Sequence, residues 1–142
     1  MAKILEFIAT LACGIFTGAA IYINLVEHPA RMKCGTQIAV TEWRPSYKRA
    51  AVMQASLAFF GSLAAVVACG MGSSYWWLVG GLVFFSVIPF TLIVIMPVNK
   101  RLLDTELDVG SDLAADLLRR WNRLHVVRSI LALAAFVIFL CL

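Results

Sequence analysis

Long apolar stretches alternate along the chain with shorter segments that carry most of its charge. Four such stretches, near residues 4–27, 50–71, 75–97 and 121–142, contain few polar side chains. About 20 apolar residues in a helix that rises ~1.5 Å per residue cross a hydrocarbon layer ~30 Å thick. Each stretch has that length, so the pattern predicts four transmembrane helices.

These runs are too continuous for barrel strands, in which lipid-facing and lumen-facing residues alternate. We therefore predict an all-α fold, in which residues 1–142 form a single integral membrane domain. It is a four-transmembrane-helix antiparallel bundle, in which loops of more than twenty residues join the first span to the second and the third to the fourth.

An amphipathic helix is expected to lead into the last span on the cytoplasmic side. Ser111 is a suitable N-cap, and the stretch Asp112–Leu124 places apolar side chains at helical spacing on one face. On the polar face, Asp116 is expected to pair with Arg120 at i,i+4.

The positive charges predict the orientation in the membrane. The two long loops carry Arg31, Lys33, Arg44, Lys48, Arg49, Lys100, Arg101, Arg119, Arg120 and Arg123. The opposite side offers Lys3 and the uncharged turn Met71–Tyr75. Because cytoplasmic loops are enriched in lysine and arginine, we expect both long loops in the cytoplasm and both termini outside, in the inner or plasma membrane.

Composition excludes several classes of protein. With 62% hydrophobic and 14% charged residues, the chain is far more apolar than a soluble domain. The net charge of +4 does not indicate nucleic-acid binding, because five acidic residues are interleaved with the basic ones in the second long loop. The four cysteines form no C-x-x-C pair, which argues against a thiol oxidoreductase.

Polar residues of all four spans collect toward the end of the bundle that carries the long loops. They are Asn24, Glu27, His28 and Arg31 on the first span, Trp43, Tyr47 and Gln54 on the second, Asn99 after the third, and Trp121, His125 and Arg128 on the fourth. Each has a structural explanation by itself: Glu27 could pair with Arg128, for instance, and the aromatic residues could anchor the membrane interface. Because ionisable groups at membrane depth are costly and usually face the bundle interior, their collection at one end favours a functional site.

Four motifs carry a resemblance to a known family. They are N-x-x-E-H-P at Asn24–Pro29, W-x-P-S-Y-x-R at Trp43–Arg49, P-x-N-x-x-L at Pro97–Leu102 and W-x-x-L-H-x-x-R at Trp121–Arg128. Over nearly its whole length the chain resembles the anthrone-oxygenase-like family of small four-span membrane proteins, catalogued as a domain of unknown function. The characterised fungal members oxidise polyketide anthrones to anthraquinones. The resemblance implies a membrane-embedded oxidoreductase, a monooxygenase acting on an aromatic or polyketide-type small molecule.

Chemistry of that kind suggests roles for the residues. An anthrone is acidic at the carbon opposite its carbonyl, and its anion reacts with dioxygen without a redox cofactor. We expect His125 or His28 to remove the proton and Arg128 to stabilise the anion, with Glu27 as a further catalytic group. The residues expected to bind the hydrophobic aromatic substrate are Asn24, Trp43, Tyr47, Gln54, Asn99 and Trp121.

Other cofactors and functions stay open at this stage. His28, His125 and Glu27 supply the ligand types of a mononuclear iron or zinc site, although Glu27 and His28 point ~100° apart on a helix. A haem between the two histidines is a further alternative. A proton-coupled transporter centred on Glu27 or a membrane subunit of a larger complex would make the chain a non-enzyme. A homo-oligomer also stays open, and transport through four short helices would require a dimer.

Overall fold

The computed structural model describes Met1–Leu142 and contains four long helices and no strand. They are α1 (Ala2–Lys33), α2 (Thr36–Gly70), α3 (Trp76–Leu103) and α4 (Asp112–Leu140). Each helix is long and apolar enough to cross a membrane, and each overlaps one of the predicted stretches. The prediction of an all-α, four-span bundle is confirmed.

Consecutive helices run antiparallel and lie side by side. Helix α1 packs on α2 and α4, helix α3 packs on the same two, and the diagonal pairs have few contacts. The turn at Cys34–Gly35 and the loop at 104–111 therefore lie at one end of the bundle, which we call the basic end. Both chain termini lie at the other end, the terminal end.

The first long loop is not a loop in the structure. Residues 36–49, expected to connect the first two spans, are the beginning of α2, and a two-residue turn is enough to join the helices. Gly35 makes this turn with a φ of 90°, a conformation that favours glycine. The basic end of the bundle is thus built from helices that extend beyond the predicted spans.

Two wide helical turns interrupt α1 and α3 near the polar residues. A π-helical turn at Ile23–Glu27 ends two residues before Pro29, and another at Thr91–Ile95 ends two residues before Pro97. Proline lacks an N–H, and its ring crowds the carbonyl four residues earlier, so a wider turn accommodates it. Helices α1 and α3 are therefore irregular where the polar residues gather.

Two apolar cores enclose a polar layer. The core toward the terminal end includes Cys13, Phe16, Ala58, Phe84 and Phe139, and the core at the basic end includes Val40, Trp43, Ile95, Leu102 and Leu118. The buried polar residues Asn24, Gln54, His125 and Ser129 lie where the two cores meet, and His28 and Asn99 lie beside the basic-end core. The layer has residues from every helix or its end, as the sequence predicted.

The amphipathic segment before the last span is continuous with it. Ser111 caps α4 by accepting a hydrogen bond from the Ala114 N–H at 3.2 Å, as predicted. The predicted partner of Asp116 is wrong: Asp116 pairs with Arg119 at 2.6 Å instead of Arg120. Positions i+3 and i+4 are both neighbours on a helix surface, and this exposed pair forms at the shorter spacing.

Candidate functional site

A small cavity lies in the polar layer, and we call it the polar cavity. It has a volume of about 20 Å³, which holds about one water-sized group. Seven of the ten residues predicted for the site line it: Glu27, Trp43, Tyr47, Gln54, Trp121, His125 and Arg128. The other three lie behind this wall.

His125 is fixed in one orientation by Asn24. Its Nδ1 lies 3.0 Å from Oδ1 of Asn24, and the same oxygen accepts a hydrogen bond from Ser129 Oγ at 2.6 Å. The amide nitrogen of Asn24 donates to Oδ1 of Asn122 at 2.8 Å, which orients the amide with its oxygen toward the imidazole. His125 Nδ1 is therefore the protonated nitrogen, and Nε2 keeps a free lone pair. A side chain only 2% exposed thus offers a proton acceptor in the wall of the polar cavity.

Arg128 brings an uncompensated positive charge to the same cavity. Its Nη2 donates to Gln54 Oε1 at 2.8 Å, and its guanidinium carbon lies 4.9 Å from the centre of the Phe16 ring. It makes no ion pair, so the alternative in which Glu27 neutralises it is wrong. A guanidinium without a carboxylate partner suits a site where negative charge develops on a ligand.

Glu27 is paired within its own helix. Its carboxylate accepts hydrogen bonds from the Arg31 guanidinium one turn later and from Ser46 Oγ at 2.8 Å. Arg31 is only 6% exposed, and its Nε also lies 2.7 Å from the Glu42 carboxylate. Arg31 thus joins an acid of α1 to an acid of α2, and Arg128 is left without an anion.

Aromatic rings form one side of the site. The Trp121 indole packs against both imidazoles, with ring centres 4.7 Å from His125 and 5.7 Å from His28. Trp43 lies parallel to Tyr47 at 4.8 Å. The Tyr47 hydroxyl accepts a hydrogen bond from Asn99 Nδ2 at 3.1 Å. His28 and Asn99 therefore support the wall without lining the polar cavity.

The geometry does not assemble the predicted metal ligands. No three donors among histidine, cysteine, aspartate and glutamate lie together as a metal site. Glu27 is taken up by Arg31 and Ser46, and each of the two imidazoles packs against Trp121. Neither a mononuclear ion held by His28, His125 and Glu27 nor a haem between the histidines fits this arrangement.

Several residues of the network were not predicted from the sequence. Asn122 and Ser129 orient Asn24, and Ser46 and Glu42 complete the polar contacts of Glu27 and Arg31. Ser129 carried a usable signal, because it is a polar residue one turn after His125 within an apolar stretch. The other three have the sequence context of ordinary polar residues on a loop or a helix surface.

A protein-family model described as anthrone oxygenase matches residues 43–138. The matched region includes His125, Arg128, Gln54 and the aromatic wall, whereas the motif Asn24–Pro29 precedes it. No curated protein and no solved structure matched the chain.

Proposed function

The chain belongs to the anthrone oxygenase family, and on that premise we propose that it is a membrane-embedded oxygenase. In this proposal it removes a proton from a flat, anthrone-like aromatic ketone and lets the resulting anion react with dioxygen. The observation that carries the proposal is the pair formed by His125, with a free Nε2 lone pair, and the unpaired Arg128 in the wall of one cavity.

The proposed reaction begins with loss of a C–H proton to Nε2 of His125. The electron pair left on carbon spreads over the rings to the ketone oxygen, and the N–H groups of Arg128 and Gln54 hold the charge there. This requires donors that are in place before the charge forms, and Arg128 Nε and Gln54 Nε2 are both buried without a partner.

Dioxygen supplies both the oxidising power and the new oxygen atom. The carbanion bonds to one oxygen of O₂, and the peroxide anion so formed takes the proton back from His125. Loss of the second hydrogen from the same carbon then breaks the O–O bond and gives a carbonyl group and water. A CH₂ group and O₂ thus become C=O and H₂O, and no other oxidant or cofactor is needed.

The size of the polar cavity limits what it holds. A volume of about 20 Å³ is far smaller than a three-ring molecule, so only the reacting CH₂ group of the substrate would enter it. The basic end contains ten of the twelve lysine and arginine residues. The positive-inside rule then assigns the site to the cytoplasmic half of the membrane.

Oxygen uptake by the purified protein in lipid nanodiscs, with 1,8-dihydroxyanthrone as substrate, tests the proposal. General-base catalysis contributes about 10²–10⁴-fold to a rate, so the rate of oxygen uptake should fall about 10²-fold or more in His125→Ala. Circular dichroism should show that the variant is still folded. His28→Ala is the matched control, since His28 packs on the same Trp121 ring but does not line the polar cavity. Unchanged turnover in His125→Ala would show that His125 is not the base. No uptake in the wild type, together with proton-coupled flux in vesicles, would favour a transporter.

A further inference from the structure

A second, larger cavity adjoins the polar cavity, and we call it the apolar chamber. It has a volume of about 140 Å³, and nine of its twelve lining residues are hydrophobic. The two cavities share Tyr47, Ala51, Gln54 and Arg128. A molecule in the apolar chamber therefore has its inner edge at the polar cavity.

The apolar chamber lies between α2 and α3 and opens on the side of the bundle. These helices pack closely toward the terminal end but have few contacts toward the basic end. Ala55 and Leu92 are exposed at the rim, with Leu92 59% exposed, while Ala58 and Val87 are buried beneath them. The rim lies within apolar stretches of membrane-spanning length, so the opening faces lipid hydrocarbon.

The polar atoms at the inner wall select for one kind of ligand. Gln54 Nε2 and Arg128 Nε are buried donors without partners, and the Tyr47 hydroxyl accepts from Asn99 and so keeps its own proton to donate. The Thr91 hydroxyl is committed to the Val87 carbonyl at 2.7 Å. No carboxylate lines the chamber. A matching ligand is apolar over most of its surface and bears a neutral or anionic oxygen acceptor at one edge.

We infer that the apolar chamber is a lipid-facing binding site for planar aromatic ketones and phenols, which enter sideways from the bilayer between α2 and α3. The ketone or phenol oxygen meets Gln54 and Arg128 where they line the chamber, the carbon opposite the ketone faces the polar cavity, and the rings lie along the small side chains Ala51, Ala55 and Ala58. Planar cations should not bind, because each would place a second positive charge beside the Arg128 guanidinium, which has no carboxylate partner and would lose its contact with water. The inference rests on the proposed function for the reaction, but binding can be measured without turnover.

The probe is 1,8-dihydroxyanthraquinone, a planar phenolic ketone without the acidic CH₂ group that the proposed oxidation consumes. Its binding to the protein in nanodiscs is followed by quenching of tryptophan fluorescence. Ala55→Phe fills the rim and should raise the Kd about tenfold or more, because overpacking removes the space for the rings. Val52→Phe is the matched control: Val52 lies on the lipid-facing side of the same helix, 70% exposed, and lines neither cavity.

Equal affinities of Ala55→Phe and the wild type would overturn the inference, and so would equally tight binding of the planar cation acridine orange. Probe binding that is sensitive to Ala55→Phe in a protein without oxygen uptake would support the chamber and refute the proposed function. Oxygen uptake with 1,8-dihydroxyanthrone that is unaffected by Ala55→Phe would support the proposed function and refute the chamber as the binding site.

Discussion

Nδ1 of His125 lies 3.0 Å from Oδ1 of Asn24, a hydrogen bond that joins the fourth helix to the first. Asn24 lies in the wide turn that precedes Pro29, and its own amide is oriented by Asn122 and Ser129 on α4. The imidazole is thus oriented before any ligand arrives. Preorganisation of this kind makes a base effective, since small misplacements of reacting atoms are costly.

Replacing Asn24 by leucine should lower kcat by roughly 10²-fold with little change in KM, because the imidazole loses the acceptor that fixes its tautomer. A purely structural role for Asn24 would leave the tautomer unchanged. Nitrogen NMR of labelled histidine should therefore show a proton on Nδ1 of His125 in the wild type and a mixture of tautomers in Asn24→Leu. A single unchanged tautomer in the variant would contradict this prediction.

Arg128→Met should reduce kcat by about 10²–10³-fold, the usual loss when a group that stabilises a developing oxyanion is removed. Methionine keeps the apolar stem over Phe16 but removes the charge and the contact with Gln54. Arg128→Lys keeps the charge and should restore part of the rate. If the methionine variant changes only KM, Arg128 binds substrate equally in the ground and transition states.

The four helices and the depth of the polar residues along them could be predicted from the amino-acid sequence. The lengths of the apolar stretches gave the four helices, and the positions of Asn24, Gln54 and His125 along them gave a common depth. Depth follows from counting residues, because a helix has a fixed rise per residue. The layer of buried polar residues could therefore be placed toward one end of the bundle from the sequence alone.

Pairing within the polar layer was less predictable. Glu27 had two arginines within reach by depth, Arg31 and Arg128, and helix rotation decides between them. That rotation depends on the wide turn at Ile23–Glu27 and on close approaches between helices, which are tertiary features. The apolar chamber could not be predicted for a similar reason. It depends on how far α2 and α3 separate, and no residue pattern in either helix indicates that distance.

Substitution of Gly61 tests how closely the helices pack in the terminal-end core. A Cβ added at Gly61 would lie 2.9 Å from Ala12 Cβ on the neighbouring helix and 2.8 Å from the Phe84 ring. Gly61→Ala should therefore destabilise the bundle by about 1–3 kcal/mol, because the helices must separate. Gly18→Ala is the control, since nothing lies within 4 Å of its added Cβ. Thermal unfolding in detergent checks both variants, and equal melting temperatures would contradict the close approach.

Native cysteines report the orientation in the membrane. Cys34, at the basic end, and Cys141, near the C-terminus, are both exposed and lie at opposite ends of the bundle. A membrane-impermeant maleimide added to intact cells should modify Cys141 and reach Cys34 only after permeabilisation. The variants Cys34→Ser and Cys141→Ser identify which thiol reacts. Labelling of Cys34 in intact cells would reverse the proposed orientation.

The most direct test of the central claim is proton removal measured without oxygen. Under anaerobic conditions, 1,8-dihydroxyanthrone deuterated at its CH₂ group should lose deuterium to water faster with the wild-type protein than without it. His125→Ala should reduce the exchange to the uncatalysed rate, whereas His28→Ala should retain it. Exchange at the wild-type rate in His125→Ala would contradict the assignment of His125 as the base.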